Sequence, residues 1–169
     1  MNRELWILRH AKAEINTEID DFDRALKKRG VKAAKRMGLW MKQQHLQPDL
    51  VISSPALRAI STTRLICPML GIAEQDIQQD KRLYLADLYM LKGVLAERAE
   101  GYQRVLLVGH NPGLEDLLIE LAESIPEFNK LLPTTGLARL RLSVNWQGLY
   151  SGCAELVTIT HVKALPEID

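Results

Sequence analysis

The chain has 169 residues, 47% of them hydrophobic and 25% charged, with 22 Lys+Arg set against 21 Asp+Glu. That length fits a single domain spanning residues 1–169, able to bury roughly two-thirds of the surface its unfolded form exposes. The near-zero net charge excludes the global polyelectrolyte character that would recruit nucleic acid or an anionic membrane, so any positive field is local. Cys67 and Cys153 are isolated thiols without CxxC spacing, the start Met1-Asn2-Arg3-Glu4 lacks the apolar core of a signal peptide, and no apolar run is long enough to span a bilayer. The expectation is a reduced, cytoplasmic protein.

In chain order, Leu5–Leu8 is short and wholly apolar, as a central parallel strand covered on both faces would be. Ala11–Lys28 is mostly polar and reads as a long loop over the strand ends; such loops tend to be functional. Val31, Ala34, Met37, Gly38 and Met41 recur at helical spacing and predict a surface helix over Gly30–Gln44. Leu50–Ser53 is the second strand. Ser53-Ser54-Pro55 is expected to cap a helix from about Pro55 to Leu70, with proline in the first turn, Arg58 just behind it, and Gly71 at the end. A short strand with turns over Gln75–Leu83 precedes an amphipathic helix over Ala86–Arg98.

The stretch from Val105 to Gly113 is the most telling: four apolar residues, then Gly109-His110-Asn111-Pro112-Gly113, then a helical pattern from Leu114 to about Glu123. It reads as a buried strand, Arg104–Val108, that delivers a histidine to the mouth of a helix. Ile125–Leu132 is ambiguous, a helical turn being one reading. Gly136–Val144 and Ala154–Val162 alternate apolar and polar residues and predict two antiparallel strands near a sheet edge, joined through Asn145–Gly152. Together these give a three-layer α/β/α sandwich with a mostly parallel central sheet and an antiparallel edge. Trp6, Trp40 and Trp146 are expected as buried or half-buried anchors, His45 and His161 as surface or packing residues.

Four residues stand at or just beyond strand ends: Arg9, His10, Arg58 and His110. Any one of them alone reads as an ordinary loop or surface residue. In combination they suggest a site, because open α/β sheets place sites beyond the carboxyl ends of their strands, and the two histidines would meet if their strands are parallel neighbours. Two guanidiniums offer planar forks of donors suited to phosphate oxygens. They also disfavour the cationic form of a nearby imidazole, so one histidine should be neutral and nucleophilic, able to carry a phosphoryl group covalently. The helix beginning near Pro55 would add backbone N–H groups and a positive dipole end.

On these residues the chain resembles the histidine phosphatase superfamily, the phosphoglycerate mutase-like family, and within it the compact SixA-like phosphohistidine phosphatases. The family's Arg-His-Gly appears as Arg9-His10-Ala11, its Asp-x-x-Arg-Pro-Leu-x-x-Arg-Gly element is similar to the run from Asp21 to Gly30, its second-arginine motif to Ser53–Ala59 with Thr62-Thr63, and its second-histidine motif to Val108–Gly113. The resemblance implies a phosphoglycerate mutase-like fold and a role in signal transduction. It makes His10 the phosphorylated nucleophile, with Arg9, Arg58 and His110 holding the phosphoryl group and His110 also stabilising the transition state. It further implies no cofactor, a monomer, and a substrate protein such as a histidine-containing phosphotransfer domain. Ala11 replaces the usual glycine, which is tolerable if φ there is below zero. Larger members carry a catalytic acid in an insertion after the second arginine; that region is short here, and neither Asp80 nor Asp87 is assigned as proton donor.

An acid-poor site suits phosphohistidine, whose P–N bond leaves as a readily protonated imidazole, whereas an alkoxide needs a proton during cleavage. Rival readings are a small-molecule phosphomonoesterase of the same superfamily, phosphoglycerate mutase activity, and a non-catalytic phosphate-binding regulatory module. A metal-dependent hydrolase using His10 and His110 is a poor fit, since no HxH, HxxxH or carboxylate pair accompanies them. Neither GxGxxG nor GxxxxGK[ST] is present for a nucleotide binder. Asn16 reads as a loop residue rather than a phosphate contact.

Overall fold

The computed structural model describes residues 2–127 and 130–167. Six strands form one sheet: β1 (Arg3–Arg9), β2 (Leu50–Ser53), β3 (Ile77–Gln79), β4 (Arg104–Gly109), β5 (Leu137–Leu142) and β6 (Ala154–Thr160), in spatial order β3-β2-β4-β1-β5-β6. The pairs β1–β4, β2–β4 and β2–β3 are parallel, and β1–β5 and β5–β6 antiparallel. A parallel sheet with an antiparallel edge is what the sequence pattern predicts. The pairing that matters most is β1 with β4: Arg9 lies opposite Gly109, so the residues that follow, His10 and His110, leave the sheet side by side.

Alternation along the central strands separates two apolar clusters, one on each face. Leu5, Ile7, Val105 and Leu107 point toward α3 (Leu88–Arg98) and α4 (Gly113–Leu121). Trp6, Leu8, Leu106 and Val108 pack against residues of α1 (Lys28–Gln43) and α2 (Leu57–Ile66). The result is the three-layer sandwich. Trp6 and Trp146 are buried and Trp40 is half-buried, as expected; Trp146 Nε1 donates to the Tyr102 carbonyl at 2.8 Å. No described helix is long and apolar enough to cross a membrane.

Several elements differ from expectation for identifiable reasons. The helix predicted from Pro55 begins at Leu57, because Ala56 is extended (φ −54°, ψ 137°) and occupies the cap position; the serines do not cap it. It ends as an α-helix at Ile66 and tightens into a 3₁₀ turn over Cys67–Leu70, where Pro68 lacks the N–H an α-turn needs; Gly71 then closes it with φ 72°. The predicted strand over Gln75–Leu83 is only β3, flanked by 3₁₀ turns at Glu74–Asp76 and Lys81–Leu83. The helix predicted from Ala86 starts at Leu88, with the Asp87 carboxylate accepting from Met90 N at 2.9 Å. The helical turn considered for Ile125–Leu132 does not form over residues 125–127 or 130–132, and residues 128 and 129 lie outside the described residues.

Two glycines let the loops close on the helices. A Cβ on Gly30 would stand 2.2 Å from the Lys12 carbonyl oxygen, and one on Gly113 would stand 2.3 Å from that of Ala86. The first turn of α1 is thereby held against the backbone two residues beyond His10, with Lys27 N donating to Lys12 O at 2.9 Å. The intervening polar loop is itself ordered by an antiparallel bridge between Ala13 and Leu26 and a 3₁₀ turn at Asp21–Asp23.

Candidate active site

All four residues singled out in the sequence meet beyond the ends of β1, β2 and β4. The His10 and His110 rings lie 5.1 Å apart, tilted by 54°. Each is 8% exposed, and Arg58 is 5% exposed. His10 leaves β1 with its backbone N–H donating to Gly109 O at 3.1 Å, while the Ala11 N–H donates to Thr62 Oγ1 at 2.9 Å, tying the strand end to α2. Ala11 is not among the described residues with positive φ, which satisfies the condition for replacing glycine.

The His10 Nδ1 lies 2.8 Å from the Ala11 carbonyl oxygen. A carbonyl can only accept, so Nδ1 carries the hydrogen and Nε2 carries the free lone pair. Burial pushes the His10 pKa from its ordinary 6.5 down to about 3, with His110, Arg58 and Arg9 adding smaller downward effects against the upward pull of the Ala11 contact. His110 is lowered to about 4, again chiefly by burial and then by Arg58, while Asp21 pulls the other way. Both imidazoles are therefore neutral at pH 7, not one alone. Desolvation is the main cause, and the arginine repulsion expected from the sequence is secondary.

Each arginine is gripped along one edge and free on another. Arg58 donates from Nη1 to the Asp21 carbonyl at 2.7 Å and from Nη2 to Asp21 Oδ2 at 3.0 Å. Arg9 donates from Nη1 to the Leu132 carbonyl at 3.3 Å. Their Nε atoms, and Nδ1 of His110, are buried without a hydrogen-bond partner among the described residues. Buried donors left unmatched are costly unless a ligand satisfies them. Two guanidiniums that repel charge from both rings, with the two imidazoles 5.1 Å apart, put fixed positive charge beside a neutral nucleophilic imidazole, an arrangement suited to a tetrahedral oxyanion.

Four further residues of the site escaped the sequence reading as functional groups. Asp21 accepts from Tyr84 Oη at 2.6 Å as well as from Arg58, and these partners with Arg24 hold its carboxyl down to about 2, the Tyr84 bond being the largest cause. The Tyr84 ring stands edge-on to His110 at 5.6 Å and to Phe22 at 5.0 Å. Ser54, expected as a helix cap, lies with Oγ 2.8 Å from His110 Nε2 and accepts from Ala56 N at 3.2 Å. Glu115, in the first turn of α4, accepts from Leu132 N at 2.9 Å, and the neighbouring Asn111 Nδ2 donates to Leu132 O at 2.8 Å, fixing the carbonyl that Arg9 reaches.

The sequence gives one hint of the first of these, Asp21 heading the family-like element. Nothing local says that it reaches Arg58, 37 residues on.

Other candidates lie elsewhere. Asp80 is buried and ionised, its pKa about 2, between Arg82 and Arg98 at 2.8 Å each, and Asp87 caps α3. Asn16 Oδ1 accepts from Glu18 N in an exposed turn, as the loop reading has it. His45 is exposed, and His161 sits 3.4 Å from the Leu131 carbonyl. Among the described residues no group of three or more His, Cys, Asp or Glu is placed to hold a metal.

Comparison with known proteins agrees with this geometry. The family model for the histidine phosphatase superfamily (branch 1) matches residues 5–128. An uncharacterised protein of Mycobacterium tuberculosis is 31% identical over 157 residues, covering 89% of this chain and 96% of that one. The phosphohistidine phosphatase SixA of Escherichia coli is 25% identical over 163 residues, 96% of this chain and 99% of its own. A solved structure from Nakamurella multipartitia, provisionally assigned as a SixA phosphohistidine phosphatase, superposes with a TM-score of 0.79 at 26% identity, covering 95% of this chain and 96% of that one. With its two neutral histidines and two arginines converging on one anion receptor, the chain belongs to the histidine phosphatase superfamily, branch 1, and is a phosphatase.

Proposed function

We propose that this phosphatase removes the phosphoryl group from phosphohistidine on a protein, such as a histidine-containing phosphotransfer domain, in the cytoplasm. The observation that carries the reading is the state of Asp21. This carboxylate contacts Arg58 at the phosphate site, yet it is ionised far below neutral pH and engaged by Tyr84 and Arg58, so it holds no proton to give a leaving group. A P–N substrate has little need of one.

In the first step the Nε2 lone pair of His10 attacks phosphorus and the P–N bond of the substrate breaks, its electron pair leaving on the imidazole nitrogen, which takes a proton from water. Arg9, Arg58 and His110 meet the charge on the three peripheral oxygens. In the second step water attacks phosphorus, the bond to Nε2 breaks, and phosphate and a proton are released. SixA of Escherichia coli, the relative named as a phosphohistidine phosphatase, supports this choice.

The test is incubation with a phosphotransfer domain carrying labelled phosphohistidine, beside a sugar phosphate and phosphoserine. Rapid label loss from the domain and slow ester hydrolysis are expected; turnover of the esters alone would refute the substrate. His10→Ala should leave the fold intact and abolish the acid-labile phosphoenzyme, and label still trapped on that variant would remove His10 from the role.

A further inference from the structure

Charge and apolar surface are distributed unevenly about the mouth of the site. Eight of the chain's 22 cations and none of its 21 acids fall between Arg24 and Pro48, whereas the loop leading into this stretch, Ala11–Asp23, carries five acids against the single cation Lys12, so the cationic side of the mouth is confined to the start of α1. The first turns of α1 carry Lys28, Arg29 and Lys32, with no acid in the first turn, although cations are unfavourable at the positive end of a helix. Gly30 clamps that end onto Lys12, two residues from His10. None of the ion pairs among the described residues uses Lys12, Lys27, Lys28, Arg29 or Lys32.

Large exposed hydrophobic side chains gather at the same end. Ile15 (78% exposed) and Ile19 lie on the loop after β1, Leu57 next to Arg58, Leu85 (76%) next to Tyr84, and Tyr89 (82%) and Met90 in the first turn of α3. These are six of the eight exposed large hydrophobic side chains among the described residues, and all six stand on segments that follow the carboxyl ends of β1, β2 and β3. Scattered apolar residues need no explanation, but a collar of them around a buried polar site marks a contact surface.

We propose that this rim is a docking face for a folded substrate protein whose surface beside the phosphorylated residue is acidic and apolar. It rests on the phosphohistidine-protein reading above and says how such a substrate is chosen. The cationic side at Lys28, Arg29 and Lys32 steers and registers the partner's acids, and the collar at Ile15, Leu85, Tyr89 and Met90 covers its apolar side chains. A small phosphate ester bound to the sunken arginines would touch neither. An anionic bilayer lying on the same rim would seal the mouth against a protein substrate.

The test compares wild type with the triple variant Lys28→Glu, Arg29→Glu, Lys32→Glu on a histidine-phosphorylated phosphotransfer domain and on phosphoramidate. For the protein substrate at low salt, KM should rise about tenfold and its salt dependence should flatten. For phosphoramidate, kcat/KM should stay unchanged, since the substituted residues lie outside the phosphate receptor. Tyr89→Ser with Met90→Ser should raise the protein KM without altering its salt dependence. Equal KM values for wild type and both variants on the protein would overturn the docking face alone. Wild type that hydrolyses phosphoramidate but no phosphohistidine protein would overturn the substrate reading and this inference with it. Binding to anionic vesicles, or self-association, lost in the triple variant while the protein KM is unchanged would reassign the rim and equally overturn it.

Discussion

Asp21 and Ser54 act on the two groups that must hold the phosphoryl oxygens. By taking one edge of the Arg58 guanidinium with both its carbonyl and its carboxylate, Asp21 leaves Nε as the donor still to be matched. Asp21→Asn keeps the shape and removes the charge, and should lower kcat/KM about tenfold, the order of one charge-assisted hydrogen bond. Tyr84→Phe, which removes only the hydroxyl bonded to Asp21, should give a smaller loss in the same direction. Steady-state kinetics on either variant reads this, and unchanged kcat/KM in Asp21→Asn would leave Arg58 positioned by other means. Ser54 bears on the second histidine through its contact with Nε2. If its hydroxyl donates to His110 Nε2, the neutral ring carries its hydrogen on Nδ1, the nitrogen that is buried and unmatched. Ser54→Ala should therefore weaken inhibition by tungstate or vanadate as well as turnover, while Ser53→Ala, whose hydroxyl contacts Thr63 and the Ser54 carbonyl, should not. Activity should survive a strong chelator.

At the scale of elements, the site lies beyond the ends of β1, β2 and β4, and two helix starts beside it are locked onto neighbouring loops by close backbone approach. Gly30 brings α1 onto Lys12, and Gly113 brings α4 onto Ala86, in the segment that carries Tyr84. A methyl at either position meets backbone, which cannot swing aside as a side chain would. Gly30→Ala should therefore destabilise the fold by about 1–3 kcal/mol and move Lys12 away from His10. A fall in urea midpoint together with a fall in kcat is the expected result, and an unchanged midpoint would show that the loop gives way freely. The 3₁₀ turn at Lys81–Leu83 is held in a similar way. Buried Asp80 accepts from Arg82 N at 3.0 Å and pairs with Arg82 and Arg98, which sets the stem from which Tyr84 projects.

For the molecule as a whole, burying two neutral histidines links stability to pH. The folded-state values, about 3 for His10 and about 4 for His110, lie below the ordinary 6.5. Above pH 6.5 the rings are neutral in folded and unfolded chains alike and the stability is fully present. Below it the unfolded chain takes up protons that the folded one refuses, so stability falls between about pH 6.5 and pH 4, at up to roughly 1.4 kcal/mol per pH unit for each histidine. Asp21 and Asp80, lowered to about 2, extend the loss in the same direction below pH 3.8. Thermal unfolding across this range should show a falling midpoint, flatter in His10→Asn, and a midpoint independent of pH from 7 to 5 would contradict the burial of neutral rings. Bound phosphate should raise the midpoint through the same receptor.

Much of the chain was legible because the signal was local. Alternation and apolar runs mark β1, β2, β4, β5 and β6, helical spacing marks α1, α3 and α4, and the punctuation at Arg9-His10, at Ser53–Arg58 and at Gly109–Gly113 marks the four residues that converge. Element ends were less legible where cap geometry decided them, as at Ala56 and Pro68. What only the tertiary structure decided is how residues far apart in sequence pair: Asp21 with Arg58 and Tyr84, Ser54 with His110, and Leu132 with Arg9. The same holds for the protonation of the histidines. Removal from water depends on the layers packed around a ring, and that quantity exists only once strands distant in sequence lie side by side.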